Sequence, residues 1–139
     1  MEYPTSIPDL CSEVDIVPWH LQLTCIFCKC HLDVGDLCAF IHNDLKLKWI
    51  KSYPYAACHR CILLKARVLA WRYQTEAAYA RTVEHDCGQP LGNIRMRCIV
   101  CTALLTSEDK IRHIEHHRRF VKAAGYWRGR CYHCWNTAL

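Results

Sequence analysis

The 139-residue sequence has no apolar stretch near the roughly 18 residues that cross a bilayer, because Lys, Arg, Asp or Glu interrupts every hydrophobic run. Its start, Met1-Glu2-Tyr3-Pro4, lacks the basic residues and apolar core of a secretory leader. These absences predict a soluble chain in a reducing intracellular compartment, with no membrane partner, where disulfides do not persist. No nucleophile elbow and no phosphate-binding glycine loop is present, which removes two common enzyme signatures. Lys and Arg are missing from residues 1–24, which carry the acids Glu2, Asp9, Glu13 and Asp15. Disorder is excluded by composition, since 52% of residues are hydrophobic.

Cysteine is what the chain has in excess, 12 residues of 139. One ordinary domain or two very small ones fit this length, and a domain of about 70 residues needs a staple. Four Cys-x-x-Cys pairs occur, Cys25/Cys28, Cys58/Cys61, Cys98/Cys101 and Cys131/Cys134, separated in turn by 29, 36 and 29 residues. The pattern is an internal duplication with an offset of 73, which also matches Ile26 with Ile99, Leu32 with Leu105, Asp36 with Asp109, Ile41 with Ile114 and Tyr53 with Tyr126.

Two Cys-x-x-Cys turns brought together by folding complete the closed tetrahedral shell of structural zinc. One zinc is expected on Cys25, Cys28, Cys58 and Cys61, and another on Cys98, Cys101, Cys131 and Cys134. A redox dithiol has the same spacing, but four copies in register favour metal. Four thiolates on Zn²⁺ leave a net charge of about −2, and Lys29, Arg60, Arg97 and Arg130 stand beside the pairs to offset it. Cys11, Cys30, Cys38 and Cys87 have no cysteine counterpart in the other half and read as small apolar residues or surface thiols.

The expected elements are short. Leu10–Leu23 reads as a helix capped by Asp9 or Ser12, Asp33–Ile41 as a helix, Leu45–Ile50 as a half-exposed strand, and Tyr53-Pro54 as a turn. Residues 62–87 hold neither Gly nor Pro and should be mainly helix, broken once. Ile62, Val68, Leu69, Trp71 and Tyr73 spread too widely around that helix for one apolar stripe, as if it were covered on more than one side. Three regions are expected: 1–61, an arm and first zinc domain; 62–87, a linker helix region; and 88–139, a second zinc domain with a short tail.

Outside the acidic start the net charge is +9 (18 basic minus 9 acidic), and Arg97, Lys110, Arg112, Arg118, Arg119, Lys122, Arg128 and Arg130 crowd into one stretch. Such a surface invites an acidic peptide or nucleic acid, or is simply solvated. A catalytic reading fails: His113-Ile114-Glu115 before Cys131-Tyr132-His133-Cys134 has the outline of a zinc deaminase, yet Arg130 replaces its proline and the four-cysteine shell leaves no position for water. His113, His116 and His117 are then expected as exposed side chains on a basic helix.

The cysteine register, with Gln89-Pro90-Leu91 before Arg97-Cys98-Ile99-Val100-Cys101 and Trp127-Arg128-Gly129-Arg130 before Cys131, resembles the papillomavirus early protein six, an oncoprotein family. The resemblance runs from about Pro8 to Cys134. It implies an α/β fold of two small homologous four-cysteine zinc-binding domains, each a three-stranded sheet with short helices, joined by a linker helix. It implies two structural zinc ions and a non-enzymatic adaptor in the host nucleus and cytoplasm, monomeric or weakly homodimeric.

Family members capture an acidic Leu-x-x-Leu-Leu helix of a host protein, either a HECT-type ubiquitin ligase or a Mastermind-like coactivator of Notch transcription. The positions matching their groove are Ile26, Phe27, Leu45, Ala57, Ile62, Lys65, Val68, Leu69, Arg72, Arg97 and Arg128. Tyr126 stands where ligase-recruiting mucosal types have Arg, and Arg128 stands where types that recognise the Mastermind-like motif often have it; the choice stays open. Thr137 and Leu139 fit a terminal PDZ-binding pattern on a tail of five residues after Cys134. The alternative reading is a zinc-dependent, DNA-binding transcriptional regulator.

Overall fold

The computed structural model describes residues 2–138. The chain divides into two compact units, Met1–Ile62 and Leu63–Leu139. The first contains α1 (Ile7–Val14), β1 (Thr24–Cys25), α2 (Val34–His42), β2 (Lys48–Ile50) and β3 (Tyr53–Ala56). Helix α3 (His59–Tyr73) runs across the division, and β4 (Gln74–Ala78), α4 (Ala80–Cys87), α5 (Ser107–Glu115), β5 (Phe120–Ala123) and β6 (Tyr126–Arg128) follow. The fold is mixed α/β with two three-stranded sheets, in the orders β1-β3-β2 and β4-β5-β6.

The 73-residue offset governs the backbone more strictly than the side chains. Helix α1 maps onto α4 and α2 onto α5, and the 3-10 turn Pro18–His20 maps onto Leu91–Asn93. Both α2 and α5 open with a capping box. Asp33 and Thr106 accept from the N–H of Asp36 and Asp109, whose carboxylates accept from the cap N–H in return. Both helices close on a left-handed residue, Asp44 (φ 52°) and His117 (φ 49°). Leu45 N–H then donates to Phe40 O and Arg118 N–H to His113 O, the six-to-one bond of a Schellman ending.

That ending explains why the strand expected from Leu45 begins only at Lys48: Leu45 is used to finish α2 and packs on the first core. The turn expected at Tyr53-Pro54 lies two residues earlier, at Lys51 and Ser52, both with positive φ, as are Ala124 and Gly125 in the second hairpin. Pro54 stands inside β3 opposite Trp49, and pairing with β1 begins only at Tyr55, so no ladder bond to β1 is lost.

The helix expected over Leu10–Leu23 is instead α1, capped by Ser6, whose hydroxyl accepts from Asp9 N–H, and it ends at left-handed Asp15. Residues 62–87 are broken by β4, which pairs antiparallel with β5, so the second unit takes in residues earlier than 88. The single break expected in this stretch is a short polar strand, Gln74–Ala78, which has no apolar alternation to betray it as a strand. On α3 the buried residues are Ile62, Ala66 and Ala70, one narrow stripe at four-residue spacing, while Trp71 and Tyr73 are exposed. Small alanines rather than the large residues mark its packed face.

The counterpart of β4 in the first unit is the arm Tyr3–Thr5. Leu47 N–H donates to Thr5 O at 2.7 Å and Trp49 Nε1 to Pro4 O at 2.6 Å, while Tyr3 stacks on Trp49 at 4.3 Å. Each unit has its own core. One is built on Ile7, Leu10, Leu23, Leu37, Phe40 and Leu47, the other on Val83, Leu91, Met96, Leu105, Phe120 and Trp127.

Candidate metal centres

Each pair of the first kind sits in a loop closed by its own backbone. Cys25 N–H donates to Cys30 O at 2.8 Å and Lys29 N–H to Cys25 O at 3.0 Å; Cys98 and Thr102 repeat this with Ala103 O at 2.7 Å and Cys98 O at 2.9 Å. Lys29 and Thr102 supply the left-handed turn, with φ of 65° and 66°. Ile26 N–H then reaches Ala56 O and Ile99 N–H reaches Gly129 O, which ties the loop to the strand leading into the second pair.

The second pairs begin α3 and, in the other unit, the 3-10 turn Tyr132–Cys134. One carboxylate per unit holds them. Asp36 Oδ1 accepts from His59 N–H at 3.0 Å and Asp109 Oδ1 from Tyr132 N–H at 3.2 Å. These aspartates cap a helix and anchor a metal turn at once. The repeat had paired them, but nothing in their local sequence indicated the second role. Burial opposes the charge of Asp109, yet the Thr106 N–H, Arg112 and the Tyr132 N–H hold its carboxyl below the ordinary range.

The thiols of Cys25, Cys28, Cys58 and Cys61 converge within 4.8 Å of one another, and so do those of Cys98, Cys101, Cys131 and Cys134. Sulfurs about 2.3 Å from one tetrahedral ion stand about 3.8 Å apart. The Cys28–Cys58 and Cys101–Cys131 separations are 3.8 and 3.7 Å, so both donor sets fit zinc. Burial resists ionisation of Cys25, but the backbone N–H groups of Cys28, Cys58 and Phe27 bring its thiol down to about 6. A hydrogen bond from Cys101, against burial and with backbone N–H groups, brings Cys98 to about 4. Burial and the neighbouring thiols push Cys61 and Cys134 up to about 12. These are closed, sulfur-only, structural zinc sites, two among the described residues.

Three of the expected offsetting cations brace the loops around the ligands. Arg97 Nη1 donates to Thr102 O at 2.8 Å, Arg130 Nη1 to Cys134 O at 2.9 Å and to Thr137 O, and Lys29 lies over the Tyr55 ring at 5.0 Å. Arg60 is exposed.

His113 corrects the expectation of an exposed basic helix: it is 2% exposed, while His116 and His117 are on the surface. Its Nε2 accepts from Arg130 N–H at 2.9 Å, its Nδ1 faces Arg118 O at 3.2 Å, and it stacks on Phe120. Burial lowers its pKa, so the ring is neutral with the proton on Nδ1. Lys110 is also buried, with Nζ donating to the carbonyls of Leu91 and Ile94. Leu37 and Phe40 occupy these two places in the first unit, and no sequence period could have revealed the exchange.

The groove candidates fall into distinct environments. Ala57 and Ile62 are buried in the first core and Leu45 packs against it; Ile26 is half-buried and Phe27 is exposed. On α3, Val68 and Leu69 are half-buried and Lys65 and Arg72 exposed. Arg97 and Arg128 do come together, lining a cleft of about 320 Å³ in the second unit with Arg95, Tyr126 and Trp127, of which Arg95 and Trp127 were not among the expected groove positions. In the tail, Thr137 N–H donates to Cys134 O and its carbonyl accepts from Arg130, while Leu139 lies outside the described residues. Of the remaining cysteines Cys11 is buried, Cys87 half-buried, and Cys30 and Cys38 exposed.

Residues 25–134, from the first zinc-ligand cysteine to the last, match the family described as Early Protein (E6). Curated relatives span nearly the whole chain. Protein E6 of Human papillomavirus type 54 is 39% identical over 96% of this chain and 93% of its own, and that of Pygmy chimpanzee papillomavirus type 1 is 36% identical over 96% and 89%. Protein E6 of Human papillomavirus type 18 is 35% identical over 97% of this chain and 85% of its own. The solution structure of the C-terminal zinc-binding domain of HPV51 oncoprotein E6 is 32% identical over 43% of this chain and 79% of that one, with a TM-score of 0.41. With both cysteine shells in place and relatives alike from end to end, the chain belongs to the papillomavirus E6 family of zinc-binding viral oncoproteins.

Proposed function

We propose that the protein is a non-enzymatic adaptor that captures acidic Leu-x-x-Leu-Leu helices of host proteins. The observation that carries this is the cleft lined by Arg95, Arg97 and Arg128 with Tyr126 and Trp127, whose cationic and aromatic wall suits the carboxylates of such a helix. Val68 and Leu69, half-buried on α3 in the same unit, offer apolar surface for its leucines. The ligand is a HECT-type ligase, redirected against host proteins, or a Mastermind-like coactivator, repressed by capture; the working compartments are the host nucleus and cytoplasm. Arg128 leans over the Tyr126 ring at 5.9 Å, so these two positions together set which acidic pattern is preferred.

Titration of zinc-loaded protein with a fluorescent acidic Leu-x-x-Leu-Leu peptide tests the reading. Binding should be lost when the leucines become alanine and weakened by Arg97→Glu or Arg128→Glu. Leu45→Glu is a poor test, because Leu45 packs on the first core. No binding of the peptide at any salt overturns the adaptor. Duplex DNA binding that collapses with salt, without leucine-peptide binding, supports the regulator reading instead. PDZ capture through Thr137 requires its bonds to Cys134 and Arg130 to break, so a free tail peptide should bind a PDZ domain better than the whole protein.

A further inference from the structure

Behind the cleft stands a carboxylate with no part in either metal centre. Strand β6 sends alternate side chains to opposite faces. Trp127 enters the second core, while Tyr126, 71% exposed, and Arg128 project the other way, so the strand forms one wall of the cleft. On the core side Asp86, in the last turn of α4, accepts through Oδ2 from Trp127 Nε1 at 2.7 Å and from Lys122 Nζ at 3.1 Å. These bonds, the one from Trp127 foremost, hold its carboxyl below the ordinary range. Lys122 stands opposite Trp127 in the ladder of β5 and β6, and its Nζ lies over the indole ring at 5.6 Å. Asp86 therefore ties α4 to the strand from behind.

The first unit closes its hairpin without this tie. At the 73-residue offset Asp86, Lys122 and Trp127 become Glu13, Trp49 and Pro54. Trp49 and Pro54 stand opposite each other as their counterparts do, but Pro54 has no N–H to donate, Glu13 is exposed, and the Trp49 N–H goes to Pro4 O. That unit also carries Gln22, Thr24 and Tyr55 at the places of Arg95, Arg97 and Arg128. The tie thus accompanies the cationic wall rather than the fold. We propose that Asp86 is a positioning residue of the cleft: through Trp127 it fixes β6, so that Tyr126 and Arg128 are already set when an acidic helix arrives. This role rests on the adaptor reading for its ligand. Strand β6 is three residues long at the edge of its sheet, and side chains that must be ordered on binding lower affinity. A strand held beforehand avoids that loss.

The experiment compares the full, zinc-loaded natural chain with Asp86→Ala and Asp86→Asn, with zinc content and denaturant midpoints measured on each. Without peptide, NMR order parameters should fall at Tyr126, Trp127 and Arg128 in Asp86→Ala and stay at natural values in the rest of the second unit. Affinity for a fluorescent acidic Leu-x-x-Leu-Leu peptide should weaken by about three- to tenfold. Asp86→Asn keeps an oxygen that accepts from Trp127, so it should recover most of both. In Trp127→Phe, which has no N–H to hold, adding Asp86→Ala should change affinity by less than about twofold. Unchanged order parameters in Asp86→Ala overturn the proposal. So does a loss of affinity as large in Asp86→Asn as in Asp86→Ala, or one that persists in full in the Trp127→Phe background. A variant that loses zinc or unfolds marks Asp86 as a residue of the fold and overturns it as well. If the natural chain binds no peptide, the adaptor reading falls, and the order parameters alone decide whether Asp86 positions the strand.

Discussion

At the scale of single residues, the second unit is constrained by a contact that the first does not have. A Cβ on Gly129 would stand 2.8 Å from Leu105 Cδ1 and 2.9 Å from His113 Nε2. The first unit carries Ala56 and Phe40 at these places, so alanine is acceptable there only with a different partner. Gly129→Ala should destabilise the second unit by about 1–3 kcal/mol, measured as a lower denaturant midpoint, whereas Ala56→Gly should cost less. His113 adds a pH dependence. Its folded pKa is lowered, so the unfolded chain binds the proton that the folded ring refuses. Stability is then full above the unfolded value of about 6.5 and falls as pH drops from there towards the folded value. Denaturant midpoints at pH 7.5 and 6 should separate more for the natural protein than for His113→Gln.

Elements are where reading from sequence succeeded and failed for identifiable reasons. The eight ligands were legible because Cys-x-x-Cys spacing is a direct imprint of metal geometry, and the helix expected over Asp33–Ile41 is α2, with Asp33 as its cap. Strand β4 was not legible, since its exposed residues carry no alternation, and the docking of Tyr3–Thr5 depends on a partner strand over 40 residues away. Lys110 and His113 read as surface residues because burial of polar groups is decided by carbonyls and N–H groups distant in sequence. The double duty of Asp36 and Asp109 is likewise a tertiary fact. Asp36→Ala should weaken the first zinc site and Asp109→Ala the second, each by about 10–100-fold in competition with a chelator, with the other site unchanged. Equal loss at both sites would show that the carboxylates act on global stability instead.

At the scale of the whole molecule, two small cores of this size depend on their metals. Metal analysis should return two zinc ions per chain, and a strong chelator should unfold both units, seen as loss of helical circular dichroism and of protection from protease. Retention of the folded signal after zinc removal would contradict the structural role. The shared 73-residue period also fixes where the two copies meet. Helix α3 ends at Tyr73 and β4, the counterpart of the first arm, begins at Gln74 with no residue between them. A tandem gene duplication would leave such a seam: the free leading segment of an ancestral single unit became an internal strand of its descendant, and the join itself is still visible as a helix that turns directly into a strand.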